Sequence, residues 1–181
     1  TSANAVANTL DSMGIIVGQA MGLAMVTVVG QCVGAGDYAQ ARRYNRKLML
    51  ISWLLIAASV AAILISLPLL LNLYNISDEA RVLSAQLVRL HNIPAIALWC
   101  LSFTLPNTLR AAGDARFTMV VSIVSMAVFR IGFSVVLGIW MGLGAIGVWI
   151  AMDIDWVCRV ICFVARYFSG AWTRKYQNYQ A

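Results

Sequence analysis

The stretch that decides the fold covers residues 9–39, TLDSMGIIVGQAMGLAMVTVVGQCVGAGDYA. Residues 9–34 carry a single charged side chain, Asp11, and are otherwise apolar, small or uncharged. A helix needs about 20 mostly apolar residues to cross the hydrocarbon core of a bilayer. This segment is long enough, so it predicts a transmembrane helix that ends in a glycine-rich turn.

Four further segments meet the same length: 48–73, 83–109, 117–141 and 144–167. The chain is 61% hydrophobic and only 11% charged, whereas a soluble domain usually carries roughly 25% charged residues. The 181 residues therefore predict an all-α integral membrane protein, a multi-span helical bundle with five spans.

The glycine cluster after the first span also fits a nucleotide-binding pattern. Gly34, Gly36 and Ala39 have the G-x-G-x-x-G/A spacing of the dinucleotide-binding turn. That turn follows a β-strand and has an acidic residue about 20 positions further on, whereas here a transmembrane helix precedes it and residues 57–65 are apolar. We expect no cofactor, and interpret Gly36 as the end of one helix and Asp37 as the N-cap of the next.

Glycines recur every four residues along the first span. Gly14, Gly18 and Gly22 are followed by Gly30 and Gly34. Small residues at this spacing let the backbone of a neighbouring helix approach closely in a membrane. The stripe therefore predicts a packing face.

The positions of the basic residues predict the orientation in the membrane. Clusters of Lys and Arg at 42–47, 110–116 and 166–175 are separated by two spans each. They fall on one side, which the positive-inside rule assigns to the cytoplasm, together with a tail at 168–181. The net charge of +6 is explained in this way, so we expect no nucleic-acid partner.

Catalytic motifs are missing from the sequence. It has one His, no H-E-x-x-H, no G-x-S-x-G and no G-x-x-x-x-G-K-[ST] pattern. The chain is therefore expected not to be an enzyme. The cysteines lie inside apolar segments without C-x-x-C spacing, and we interpret them as apolar filler rather than metal ligands or disulfides; they are Cys32, Cys100, Cys158 and Cys162.

Charged residues inside spans are the candidates for function. An ionisable group near the bilayer centre costs at least ~2.5–3.5 kcal/mol, so it needs a partner or a wet cavity. Arg130 and Asp155 lie at similar depth in the last two spans, and Asp155 and Arg159 are an i,i+4 pair. We expect a buried ion-pair cluster, with a direct part in transport as the alternative. Asp153 lies ~200° around the helix from Asp155 and is either a coupling acid or an acid bordering water.

The third span is the most polar. His91 and Asn92 precede Pro94, and Pro106 follows later in the span. Prolines predict kinks or local unwinding, and a broken polar helix is typical of a substrate cavity. The alternative for His91 is a hydrogen-bonded interior histidine. Asp11, near the outer mouth of the first span, is a candidate contact for a cationic substrate.

Four stretches carry a family resemblance: SANAVANTL at 2–10, VGQCVGAGDYAQARR at 29–43, LPNTLRAAGDARFTM at 105–119 and GVWIAMDIDWVCRVICFVARYFSGAW at 147–172. They resemble the C-terminal half of MATE-family multidrug and toxin extrusion transporters, which have two lobes of six helices each. The resemblance implies that residues 1–181 are a fragment of one transmembrane lobe, with about five of its six helices. The chain begins at Thr1 without a Met, and we expect a helix and the N-terminal lobe upstream.

The resemblance implies secondary active efflux of organic cations in antiport with H⁺ or Na⁺, in the plasma membrane, most simply a bacterial inner membrane. NorM-type members carry a carboxylate in the helix that corresponds to the third span. Here residues 90–103 contain no Asp or Glu, only His91 and Asn92, so the coupling ion stays open. The alternatives are a lipid-linked oligosaccharide flippase, consistent with Arg89 and Arg130, and a non-transporting membrane scaffold.

Overall fold

The computed structural model describes residues 2–74 and 76–173. Long helices make up this part of the chain, which confirms the predicted all-α bundle. They are α1 (Ser2–Gly34), α2 (Tyr38–Leu73), α3 (Asp78–Ala111), α4 (Ala115–Trp140) and α5 (Gly144–Phe168).

Four of these helices, α1 to α4, are long and apolar enough to cross a membrane by length and composition. The fifth, α5, has 25 residues but carries Asp153, Asp155 and Arg159 in its middle. Helices α1 and α3 begin several residues before the apolar spans, at Ser2 and Asp78. Hydropathy marks only the apolar part of a helix, whereas its hydrogen bonds continue through flanking polar residues.

The helix ends follow the expected capping residues. Gly36 and Gly113 have φ angles of +76° and +83°, a region that residues with a Cβ rarely adopt. The Asp37 side chain accepts a hydrogen bond from the Gln40 backbone N–H at 2.8 Å, which confirms it as the N-cap of α2. Asp114 starts α4 differently: its carboxylate accepts a hydrogen bond from Arg166 Nε at 2.7 Å and so ties α4 to α5.

The glycine stripe of α1 is a packing face over part of its length. A Cβ added at Gly18 would lie 2.3 Å from the Trp99 ring on α3 and 2.6 Å from Ile56 Cδ1 on α2. A Cβ at Gly22 would lie 2.6 Å from Asn107 Nδ2. Because no such contact exists at Gly34, the close approach is confined to the middle of α1.

Two helices depart from α-geometry. The α-helical part Asp78–Trp99 of α3 continues as a π-helical turn, Cys100–Thr104, and returns to α-geometry at Leu105–Ala111. The predicted irregularity therefore lies just before Pro106, whereas the helix runs through Pro94. Two further π-helical segments, Met126–Gly132 and Val136–Trp140, interrupt α4. Such segments are frequent at functional sites.

The basic residues at 42–47, 110–116 and 166 lie at one end of the bundle, where α1, α3 and α5 end and α2 and α4 begin. Trp172 is 1% exposed there and stacks on Tyr167 with ring centroids 5.5 Å apart. The beginning of the predicted tail thus packs against the bundle, and its part at 174–181 lies outside the described residues. Cys32 and Cys100 are buried as free thiols.

Candidate functional site

A cavity of about 400 Å³ opens between α1, α3, α4 and α5. Trp99, Phe103 and Trp156 form an aromatic wall. Its ionisable lining residues are Asp11, His91, Arg110 and Arg130. The predicted cavity candidates Asp11 and His91 therefore line one space, although they lie 80 positions apart in the chain.

His91 joins three helices. Its Nδ1 lies 2.6 Å from Asp153 Oδ1 on α5, and its Nε2 lies 3.9 Å from Asp11 Oδ2 on α1. The imidazole is fully buried, whereas the Asp11 and Asp153 side chains are 12% and 16% exposed. The site therefore consists of one buried imidazole between two carboxylates that reach the edge of the protein interior.

The polar groups around His91 are only partly satisfied. Asn92 Nδ2 donates to Asp11 Oδ1 at 3.3 Å and to the Val88 carbonyl oxygen at 3.1 Å. In the described part of the chain, His91 Nε2 and Asn92 Oδ1 are buried without a hydrogen-bond partner. Buried polar atoms are usually hydrogen-bonded, so these two groups are available to a proton, a water molecule or a ligand.

Two tryptophans that sequence reasoning did not assign to the site hold the imidazole in place. Trp149 meets the His91 ring edge-on with centroids 5.0 Å apart, and Trp156 lies at 4.3 Å. The signal was present in the sequence, because Trp149, Asp153 and Trp156 have the i, i+4, i+7 spacing of one helix face.

Asp155 belongs to a separate buried cluster between α4 and α5. Its carboxylate accepts hydrogen bonds from Arg159 Nε at 3.1 Å and from the Ser125 hydroxyl. Arg159 also donates to the Ser122 carbonyl oxygen at 3.3 Å. Because Asp155 is 0% exposed, the charge of Arg159 is needed to offset the loss of water around it.

The structure does not bring Arg130, a predicted member of this cluster, into contact with Asp155. No ion pair joins Arg130 to Asp155 within the described residues, and Arg130 lines the cavity instead. Ser125 occupies the level of Asp155 on α4. Since Arg130 follows it by five residues in the chain, it lies about one helical turn nearer the opposite end of the bundle. The depth that the sequence indicated for Arg130 therefore differs from its depth in the structure by about one helical turn.

Comparisons with known proteins agree with the motifs. A sequence profile of the MatE family matches residues 1–136. The Uncharacterized transporter YisQ of Bacillus subtilis (strain 168) is 26% identical over 165 residues, which cover 89% of this chain and 35% of that protein. The Multidrug and toxin extrusion protein 1 of Oryctolagus cuniculus is 23% identical over 150 residues, 83% of this chain and 26% of that protein.

The chain thus spans about a third or less of the length of these relatives. No solved structure matches it. The family profile covers far more than half of the chain, and the described helices include four that are long and apolar enough to span a bilayer. The chain belongs to the MatE family and is part of a multi-pass membrane protein.

Proposed function

We propose that the chain is the C-terminal lobe of a secondary active transporter that exports organic cations from the cell. The observation that carries the proposal is the cavity that Asp11 and His91 line together with the aromatic rings of Trp99, Phe103 and Trp156. Binding sites between the helices of a bundle combine apolar surface with a few placed polar groups in this way. The remaining lobe would be supplied by upstream sequence, and the membrane would be the plasma membrane.

The cavity chemistry favours an amphipathic cation as the exported substrate. The rings of Trp99, Phe103 and Trp156 offer apolar area and π-faces, and a cation over such a face is attracted by the ring quadrupole. Asp11 supplies a negative charge in the same lining. A flat cationic molecule satisfies both the aromatic wall and the carboxylate.

Of the two coupling ions, H⁺ is our first candidate and Na⁺ the second. Imidazole is the side chain that ordinarily changes its charge between about pH 5 and 8. Around His91 the charged groups are Asp11 from α1, Asp153 from α5 and Arg130 from α4. A proton on His91 would strengthen its contacts with both carboxylates and draw α1 and α5 together, whereas a substrate cation at Asp11 would compete with that contact.

A lipid-linked oligosaccharide flippase is the second candidate, because Arg110 and Arg130 line the same cavity. Guanidinium groups suit phosphate. Arg110, however, donates to Asn107 Oδ1 at 2.9 Å and to Thr118 Oγ1 at 3.3 Å, and Arg89 lies exposed and outside the cavity lining. A non-transporting scaffold gives no reason for a cavity with buried, unpartnered polar atoms.

The test uses the full-length protein in proteoliposomes loaded with ethidium under a pH gradient, a Na⁺ gradient or neither. Gradient-dependent ethidium movement that Asp11→Asn lowers at least tenfold is expected, since the carboxylate charge is then lost from the cavity. Asp78→Asn is the matched control, because Asp78 lies in the exposed first turn of α3. Equal ethidium movement with and without both gradients would contradict the antiport proposal, and translocation of a fluorescent lipid-linked sugar instead would favour the flippase.

A further inference from the structure

A surface groove of about 430 Å³ lies between α2, α3 and α5, toward the basic end of the bundle. Apolar side chains form its walls, with Met49 and Leu50 from α2, Leu101 and Leu105 from α3, and Val164 from α5. Arg46, at one end, is the charged residue of this lining, which contains no Asp or Glu.

A second pocket of about 340 Å³ adjoins the groove. It shares Arg46, Tyr167 and Phe168 with the groove and adds Arg42 and Trp172. The Arg42 guanidinium lies 5.8 Å from the centroid of the Trp172 ring. Neither Arg42 nor Arg46 forms an ion pair within residues 2–74 and 76–173, so the continuous surface has an apolar arm and a cationic end without a counter-charge.

We propose that this surface binds an anionic phospholipid, with one acyl chain in the groove and the phosphate between Arg42 and Arg46. Basic pockets between transmembrane helices bind the head groups of anionic lipids, and a guanidinium can hold two phosphate oxygens at once. Tyr167 and Trp53 place aromatic rings beside the site, where such side chains favour the level of the lipid head groups.

The apolar groove and the cationic end together specify the ligand class. A free inorganic anion uses the arginines and leaves the apolar walls exposed, and a zwitterionic lipid fills the walls but brings no net charge to the arginines. An anionic phospholipid matches both. The site is separate from the proposed transport cavity, since the groove and the cavity share no lining residue.

The binding test is native mass spectrometry of the full-length protein with phosphatidylglycerol and phosphatidylcholine of identical acyl chains. The wild-type protein is expected to retain phosphatidylglycerol preferentially. The double variant Arg42→Gln with Arg46→Gln should lower this preference about tenfold or more, because each cation near a membrane surface contributes to anionic-lipid binding. Arg116→Gln is the matched control: it removes an exposed charge at the N-terminus of α4, outside groove and pocket, and should leave the preference unchanged.

Two further sets of variants test the apolar groove and the arginine charges separately. Val164→Trp should weaken phosphatidylglycerol binding by filling the groove without changing any charge, and Arg42→Lys with Arg46→Lys should retain most of the preference because the charges remain. Competition by inorganic phosphate as effective as that of phosphatidylglycerol would overturn the lipid site in favour of a free-anion site. A wild-type protein without lipid preference, or equal losses in Arg116→Gln and the double variant, would also overturn it.

Discussion

The buried imidazole of His91 on α3 lies between two carboxylates of neighbouring helices, Asp11 on α1 and Asp153 on α5. If it carries the coupling proton, His91→Gln should flatten the pH profile of transport, because glutamine keeps polarity but has no ionisable ring. The measurement is the initial rate of ethidium efflux as a function of pH, with folding checked by thermal unfolding. An unchanged profile at a normal rate would reduce His91 to a packing residue.

For the buried pair of Asp155 and Arg159, the expected effect of a substitution is on stability. Removing one partner of a buried ion pair typically costs about 3–5 kcal/mol, so Arg159→Gln should lower the unfolding temperature strongly. Arg130→Gln is the matched comparison, because Arg130 lies in the cavity lining and not beside Asp155. It should change transport more than stability. Equal destabilisation by the two substitutions would contradict the observed pairing.

At the scale of one element, α1 depends on glycine where two neighbours approach it. Gly18→Ala places a methyl group 2.3 Å from the Trp99 ring and 2.6 Å from Ile56 Cδ1, and overpacking of this kind typically costs about 1–3 kcal/mol. Gly30→Ala is the matched control, since its nearest contact is Ala111 Cβ at 3.9 Å. Thermal unfolding should show a lower unfolding temperature for Gly18→Ala and an unchanged unfolding temperature for Gly30→Ala. A neutral Gly18→Ala would mean that α1 is less tightly held than its contacts indicate.

The same element shows where sequence reasoning succeeds and where it stops. Spacing alone predicted the packing face, because a four-residue repeat places glycines on one side of a helix. It did not tell Gly18 from Gly34, since that depends on which side chains the neighbouring helices present. Likewise, because a buried charge is costly, the sequence identified Asp155 and Arg130 as residues that need a partner or a water-filled cavity. Only the arrangement of α4 against α5 decided that Ser125, and not Arg130, meets Asp155.

At the scale of the whole molecule, apolar length and capping glycines were enough to predict the helices, whereas the cavity could be recognised only once four helices were placed together.

The basic end of the bundle also predicts a direction in the membrane, with residues 35–37 in the cytoplasm and residues 141–143 outside. Substituted-cysteine labelling of whole cells tests it: Met141→Cys, exposed at 62%, should react with an impermeant maleimide. Ala39→Cys, exposed at the first turn of α2, should react only after permeabilisation. The unsubstituted protein, with its four native cysteines, sets the background, and the reverse labelling pattern would invert the orientation and place the proposed lipid site in the outer leaflet.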